Sequence, residues 1–413
     1  MRPRAQLLVR LTEAALLAAS CSTAATAARA ADALPASVEI VRRDEPVYAE
    51  PAATAARRGA VLRGARLPVF GTRPGPGCAG GYFLVGPLAW ICAEGVQPSQ
   101  AKPVPPLGAP TASGLPYRYF FVRPDGTFGY RDLSTAESGV PDAQLQPGFG
   151  VAVTRTQSQP NGGDPFGLTT HGLWVPMRDL GAPVVAPEAL GVELDGTDFA
   201  WIIAEKPEVF AAPGGTRRRD LSLERLSRVG VGERVTRGRD VWLRVGERAF
   251  VRERDTASPR IAPPPEEARP GERWIDVDLE RQVITAYRGE KPVFATLGST
   301  GRGPAGSEQA TPPGTYRIWV KLRSSDMDNL ENVEAQTNYA IQAVPWVLYF
   351  HRGYALHGAF WHHAFGRVQS HGCVNLTPAD AERLFDWTSP RLPEGWSAAF
   401  PTEYEPGTIV RVR

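Results

Sequence analysis

The sequence is poor in lysine and has almost no net charge. Arginine supplies nearly all of the positive charge, because only four residues are lysine: Lys102, Lys206, Lys291 and Lys321. The formal net charge is +2 over 413 residues, which gives no reason to expect nucleic acid or another strongly charged partner. Hydrophobic and charged contents of 42% and 22% are ordinary for a globular protein. The length allows two or three domains.

Long apolar runs are also missing. The stretch Leu7–Ser20 is interrupted by a glutamate and is too short to span a bilayer. Arginines precede it and small residues follow, so residues 1–31 are predicted to be an export signal. Two processing routes stay open. Residues 17–21 resemble a lipoprotein processing motif, in which Cys21 would receive the lipid, whereas Ala28–Ala30 is suited to ordinary cleavage of a signal peptide. We expect an exported protein of the periplasm or cell envelope, membrane-attached only if Cys21 carries a lipid.

Histidine is scarce, yet five of the six histidines lie between residues 351 and 371, and Cys373 follows closely. A thiol reacts as its thiolate, and a neighbouring imidazole can take its proton. His357 and Cys373 therefore predict a cysteine nucleophile with a histidine base. Gly372 would let the backbone turn sharply and direct successive N–H groups at one point, as an oxyanion hole requires.

A metal site is the alternative explanation of the cluster. The following residues are all of types that bind zinc: His357, His362, His363, His371 and Cys373. However, the sequence has no H-E-x-x-H pattern, and no carboxylate lies between residues 351 and 373. We therefore expect no metal, and we expect His362 and His363 to line the cleft or face solvent.

The segments around the cluster predict regular structure. Tyr354–Leu356 reads as a strand that ends at His357. After the cysteine, Thr377 can cap a helix whose first residue is Pro378. Ala381, Leu384 and Phe385 would share the buried face of this helix.

These motifs together resemble the L,D-transpeptidases, whose catalytic domain is of the YkuD type. The signature is His357-Gly358, a spacer, and then residues 370–375, which spell Ser-His-Gly-Cys-Val-Asn. The hairpin formed by residues 274–278 and 282–284 and the Thr-Pro-Pro-Gly-Thr-Tyr run at 311–316 are also similar to the family. The resemblance covers residues 272–413 and implies a mainly β protein, with a β-sandwich or barrel catalytic domain and one short helix after the cysteine motif.

The resemblance implies a role for each matching residue. Cys373 would be the nucleophile, His357 the general base, and the Gly358 carbonyl the group that orients the imidazole. The oxyanion hole would use the amides of His371, Gly372 and Cys373. Residues expected to contact substrate are Tyr339, Ser370 and Asn375. Many relatives have an arginine two residues after the cysteine, where this chain has Asn375. The way in which those relatives hold the carboxylates of the substrate therefore cannot be transferred to this chain.

The implied activity is cross-linking of peptidoglycan stem peptides through a Cys373 thioester, without a cofactor. Donor and acceptor would both be stem peptides, and carbapenems would acylate the same thiol. Two alternatives stay open: an L,D-carboxypeptidase, in which water resolves the thioester, and a non-catalytic scaffold that binds the wall. The polar segment between Leu322 and Asn338 shows little periodicity, and in the family this region can cover the cleft.

The remainder of the chain predicts small β modules. Strand and turn patterns at 37–100 and 199–256 resemble bacterial Src-homology-3-like barrels. Modules of this type could contact the glycan of the cell wall. Residues 117–198 are predicted to form a β-rich middle module. One linker, residues 101–116, separates the first two modules. The other is the proline-rich stretch 257–271, where we expect an extended spacer that keeps domains apart.

Two cysteines, Cys78 and Cys92, remain once Cys21 and Cys373 are set aside, and in an exported protein they are expected to form a disulfide. His171, outside the cluster, is expected to be structural.

Overall fold

The computed structural model describes residues 34–42, 44–104, 114–159, 162–196, 198–331 and 338–413. The predicted export signal, Cys21 and most of the 101–116 linker lie outside the described residues. Within the described part of the chain, no helix has the length and apolar character needed to cross a membrane. The mainly β fold with one short helix after the cysteine motif, expected from the sequence, is confirmed.

The first module has eight strands around an apolar core that includes Val38, Val47 and Ile91 and also contains Trp396 of the C-terminal domain. A disulfide joins Cys78 to Cys92, with 5.8 Å between their Cα atoms. The assignment of this module to the Src-homology-3-like type stays a prediction. Its strands are β1 Ser37–Ile40, β2 Glu45–Tyr48, β3 Arg57–Val61, β4 Arg66–Pro68, β5 Gly71–Gly75, β6 Cys78–Gly86, β7 Ala89–Cys92 and β8 Val96–Ser99, with a 3₁₀ helix at Ala93–Gly95.

The middle module and the module after it are also built from short strands. The middle module contains β9 Arg118–Phe121, β10 Thr127–Gly129, β11 Ala143–Leu145, β12 Gly150–Ser158, β13 Pro165–Thr169, β14 Trp174–Pro176 and β15 Val192–Glu193, with 3₁₀ helices at Leu133–Thr135 and Met177–Asp179. The next module contains β16 Phe199–Ile202, β17 Arg228–Gly230, β18 Arg234–Arg237, β19 Asp240–Gly246, β20 Ala249–Arg252 and β21 Thr256–Ala257, with a 3₁₀ helix at Glu253–Asp255.

The C-terminal domain carries the largest apolar core and the one α-helix of the described residues. The expected opening hairpin is present, because β22 pairs antiparallel with β23. The elements are β22 Arg273–Asp278, β23 Val283–Arg288, β24 Lys291–Leu297, β25 Gly314–Arg317, β26 Val320–Asp328, β27 Ala340–His351, β28 Tyr354–Gly358, β29 Val374–Leu376, α1 Pro378–Trp387, β30 Trp396–Ala399 and β31 Ile409–Val412.

The helix is capped as the sequence predicts. The Thr377 side chain accepts a hydrogen bond from the Asp380 amide, and Pro378 is the first helical residue. At the other end, the buried Lys321 side chain donates to the carbonyl oxygens of Phe385 and Thr388. Its ammonium group therefore faces the negative end of the helix, although burial lowers the pKa of Lys321 to about 7. The helix packs on β27 and β28 and so supports the strand that carries His357.

The first and middle modules are joined to the C-terminal domain by strand pairing. One sheet runs β14-β13-β12-β27-β26-β30-β3-β2-β7-β6-β5, with β28 beside β27 and β29 beside β28. Strand β3 of the first module pairs with β30, and Gly59 is required there because a Cβ would lie 2.1 Å from the Ala398 carbonyl oxygen. A second sheet, β15-β24-β23-β22-β31-β25, completes the C-terminal domain.

The polar segment 322–338 and the proline-rich linker 257–271 both pack against neighbouring elements in the described structure. Most of the described part of the polar segment 322–338 is strand β26, which pairs along β27. Its polar side chains meet neighbouring elements: Asp326 pairs with His171, and Ser325 bonds to Tyr349. The proline-rich linker does not keep domains apart, since Ala262 is buried against Trp274 and Tyr287 and its amide bonds to the Tyr287 hydroxyl at 3.2 Å.

Candidate active site

Two adjacent parallel strands carry the predicted nucleophile and base. Strands β28 and β29 pair in parallel, with His357 opposite Asn375, so Cys373 lies immediately before β29. Both His357 and Cys373 line a cleft of about 720 Å³. The sequence order strand, loop, strand therefore brings residues 16 positions apart into one cavity.

His357 is a buried, neutral base. Its Nδ1 lies 3.2 Å from the carbonyl oxygen of Gly358, the contact that the family resemblance implied. A carbonyl oxygen only accepts, so this contact places the ring proton on Nδ1 and leaves the Nε2 lone pair free to take a proton. Burial lowers the pKa of His357 to about 4, and the nearby His362 lowers it further, while the Gly358 contact opposes the shift. The Trp361 ring stacks beside the imidazole, with centroids 5.8 Å apart.

Cys373 is half-buried and is a free thiol. Its sulfur lies 3.7 Å from the carbonyl oxygen of Gly353, to which the thiol donates. Desolvation raises the pKa of the Cys373 thiol to about 11, although the Ala355 backbone opposes the shift through a hydrogen bond. At neutral pH the resting site therefore holds a thiol and a neutral imidazole, and the thiolate must be generated by proton transfer to a base.

The nucleophile turn, residues 370–373, is fixed by its own hydrogen bonds. The Gly372 amide donates to the Ser370 hydroxyl oxygen at 3.0 Å, and the Ser370 hydroxyl donates to the Cys373 carbonyl oxygen. This is the local side-chain-to-backbone turn that serine favours. The predicted oxyanion role of the Gly372 amide is therefore not supported, because this donor is already used. Ser370 lines the cleft, but its hydroxyl braces the turn instead of facing a substrate.

Gly372 has a backbone conformation that only glycine adopts readily, with φ at +127°. A Cβ there would lie 2.6 Å from Cε1 of Tyr354 and 3.0 Å from the Glu308 carbonyl oxygen. The Thr311 hydroxyl donates to the Gly372 carbonyl at 2.7 Å and accepts from the Gly301 amide at 2.8 Å. The Thr-Pro-Pro-Gly run noted in the sequence thus supplies the hydroxyl that anchors the nucleophile turn.

The buried Asn375 and the half-buried His362 form a polar pair beside the turn. The Asn375 side-chain amide lies 2.9 Å from Nε2 of His362, and Nδ1 of His362 accepts from the Ala364 amide at 3.1 Å. The Asn375 atom that faces the ring is the side-chain nitrogen Nδ2. Burial lowers the pKa of His362 to about 4, which keeps this arrangement neutral at physiological pH.

Sequence reasoning missed one arrangement at the rim of the cleft. The Arg302 guanidinium lies 2.7 Å from Nε2 of His371, and the Tyr339 ring stacks on the His371 imidazole, with ring centroids 5.1 Å apart. All three residues line the cleft. Burial and the charge of Arg302 lower the pKa of His371, while burial, chiefly, and the nearby Cys373 raise the pKa of Tyr339. Arg302 lies in the glycine-rich run 301–306, which carries no local sign of this contact.

The histidines do not assemble a metal centre. Within the described residues, the ring nitrogens and sulfur of the cluster bring no three ligand atoms within 4.8 Å of one another. The one such group contains Cys78, Cys92 and Glu94, and its two sulfurs are joined as a disulfide. The cleft thus brings together a thiol, an imidazole and a braced turn, the kinds of group that acyl transfer uses.

Comparison with known proteins identifies the class of this domain. Residues 272–412 match the family model of the L,D-transpeptidase catalytic domain, YkuD. This match confirms the resemblance expected from the sequence for the C-terminal domain. No curated protein matches the chain significantly.

Solved L,D-transpeptidase structures are similar to part of the chain. They include a mutant of the Enterococcus faecium enzyme, at 22% identity over 35% of this chain and 50% of that chain, with a TM-score of 0.26. The Mycobacterium smegmatis enzyme is 20% identical over 42% of this chain and 66% of its own chain, with a TM-score of 0.27. The Stackebrandtia nassauensis enzyme is 26% identical over 36% of this chain and 58% of its own chain, with a TM-score of 0.25. The chain thus spans half the length of the first of these relatives, and the assignment of the domain rests on the family model.

Proposed function

We propose that the protein is a peptidoglycan L,D-transpeptidase that forms a thioester on Cys373. The observation that carries the proposal is that His357 and Cys373 line one cleft of a domain that matches the YkuD family model. The substrates are stem peptides of peptidoglycan, and the protein acts in the periplasm or cell envelope. Possible contacts of the N-terminal modules with glycan belong to the same proposal.

The first half-reaction acylates the enzyme. Nε2 of His357 takes the thiol proton as the Cys373 sulfur attacks the carbonyl carbon before the terminal D-residue of the donor. Amides of His371 and Cys373 and the Tyr339 hydroxyl are the candidate donors to the oxyanion. The tetrahedral intermediate collapses when the imidazolium returns its proton to the leaving amine. The D-residue departs and a thioester remains.

The second half-reaction resolves the thioester. An amine of a neighbouring stem attacks the acyl carbon, His357 takes the amine proton, and the thiolate leaves and recovers that proton. One peptide bond is broken and one is formed, so the reaction needs no cofactor or energy source. If water attacked instead, the enzyme would be an L,D-carboxypeptidase.

The proposal is tested by incubating the mature protein with defined disaccharide-tetrapeptides and analysing the products by mass spectrometry. We expect cross-linked dimers together with the released D-residue. Tripeptide without dimers would replace the transpeptidase by the carboxypeptidase. Unchanged substrate would favour a wall-binding scaffold.

A carbapenem should acylate Cys373, because the strained lactam carbonyl presents the thiol with an activated acyl group. We expect a mass increase of the intact protein equal to the whole drug, located by peptide mapping to the peptide that contains Cys373. Absence of an adduct on the folded protein would contradict the assigned nucleophile.

A further inference from the structure

The middle module contributes directly to the walls of the catalytic cleft. Phe121, at the end of β9, and Gly148, in the turn before β12, line the same cavity as Cys373. These residues lie far outside 272–412, the part that matches the catalytic-domain family. The catalytic domain alone therefore does not enclose the cleft seen in this chain.

The middle module is held firmly against the C-terminal domain. The buried Tyr119 hydroxyl donates to the Ala343 carbonyl oxygen at 2.6 Å. Strand β12 meets β27 at Gly150 and Ile341, and the two approach so closely that a Cβ on Gly150 would lie 3.1 Å from Cγ2 of Ile341. The Ala152 amide also donates to the Gln342 side chain at 3.2 Å. Since these contacts are buried and apolar groups surround them, the wall is a fixed part of the site.

Aromatic rings connect this wall to the catalytic base. Tyr119 and Phe121 of the middle module pack on Phe360, with ring centroids 4.1 and 6.5 Å away. Phe360 meets Trp361 edge to face at 5.1 Å, and Trp361 stacks beside His357. The module thus supports the segment that follows the base and exposes part of the Phe121 ring to the cleft.

The module side of the cleft is apolar and differs from the other rim. Phe121 lies in one cluster with Ile341, Met327 and Trp361, and all four line the cavity. The charged lining residues come from two loops of the C-terminal domain: Arg302, Glu308 and Arg352. A ligand that filled the cleft would therefore place apolar groups against the module and charged groups against the loops.

We propose that the middle module is a substrate-contacting wall and that Phe121 is a specificity-determining residue for the stem peptide. The proposal rests on the proposed transpeptidase function. A stem peptide attached to its disaccharide extends well beyond the scissile bond and reaches Phe121, whereas a small acylating agent occupies only the part of the cleft near Cys373. The module therefore sets affinity for the extended substrate and leaves the chemistry at the thiol unchanged.

The test compares two acyl donors in Phe121→Ala, Phe121→Leu and a matched control. Phe128→Ala is the control, since Phe128 belongs to the same module, is 45% exposed and does not line the cleft. For Phe121→Ala we expect KM for the disaccharide-tetrapeptide to rise about 3- to 10-fold with kcat within about twofold, because part of an aromatic contact is lost. Acylation by a carbapenem should keep its rate within about twofold. Phe121→Leu should lie between Phe121→Ala and the wild type, and Phe128→Ala should match the wild type.

Equal loss of both reactions in Phe121→Ala, with an unchanged melting temperature, would overturn the proposal and leave Phe121 as a positioning residue for His357. Unchanged kinetics with both donors would also overturn it. If Phe121→Ala fails to fold, Phe121→Leu decides, by the same comparison of KM with the acylation rate. Failure of the proposed function is distinguishable, because the wild-type protein itself would then neither consume stem peptides nor form the carbapenem adduct.

Discussion

His357→Gln should lower turnover of stem peptides at pH 7 by about 1,000- to 10,000-fold, because the variant has no base to take the thiol proton. With a thiol pKa of about 11, only about 1 in 10,000 molecules carries the thiolate at pH 7. The loss should diminish by about tenfold for each pH unit between 7 and 10 as hydroxide generates the thiolate. The measurement is kcat/KM against pH for both proteins.

The dependence of kcat/KM on pH should have a different shape for the wild-type protein than for His357→Gln. The pKa of His357 is lowered to about 4, so the base is neutral from about pH 5 upward and the rate should stay nearly constant to pH 8. Below pH 5, protonation of His357 should reduce the rate. His363→Gln is the matched control, because His363 is exposed and does not line the cleft. A His357→Gln profile as flat as that of the wild type would exclude His357 as the base.

Gly372→Ala should reduce kcat by at least about 100-fold, since displacement of a catalytic group by about 1 Å has an effect of that size. The added Cβ meets Tyr354 and the Glu308 carbonyl oxygen, and the φ of +127° is itself unfavourable for alanine. The turn that carries Cys373 must therefore move. We also expect the free energy of unfolding to fall by about 2–4 kcal/mol, measured by denaturant titration.

Gly306→Ala separates backbone strain from the steric contact. Gly306 also has a positive φ, +84°, but nothing lies within 4 Å of its added Cβ. This control should lose only about 1 kcal/mol of stability and should keep its activity. If Gly372→Ala retained more than half of the wild-type kcat, the close packing of the nucleophile turn would have no catalytic importance.

Local signals in the sequence predicted the elements that carry the chemistry. Thr377 and Pro378 marked the start of helix α1, and its buried residues Ala381, Leu384 and Phe385 followed the helical period. The strand before His357 was also predicted, and it forms β28. These elements were accessible because capping residues and hydrophobic periods are properties of neighbouring positions.

Contacts between distant segments were not accessible in this way. Nothing local to Arg302 indicates that it bonds to His371, 69 positions away. The Gly372 amide was expected to face substrate, whereas the turn geometry directs it to Ser370. The polar sequence of β26 shows little periodicity, and one partner of its side chains, His171, comes from another module. The pairing of strands from different modules likewise depends on tertiary packing, which the local hydrophobic periodicity of the sequence does not indicate.

The acylated enzyme can be detected from the intact mass of the protein during turnover of a tetrapeptide donor, with Cys373→Ala measured in parallel. On the wild-type protein we expect an adduct equal to the donor minus its terminal D-residue, mapped to Cys373 and discharged when an acceptor amine is added. With Cys373→Ala we expect no adduct and no product, and the fold should be unchanged because only the sulfur is removed. Product formation by Cys373→Ala, or an adduct mapped to another residue, would rule out Cys373 as the nucleophile.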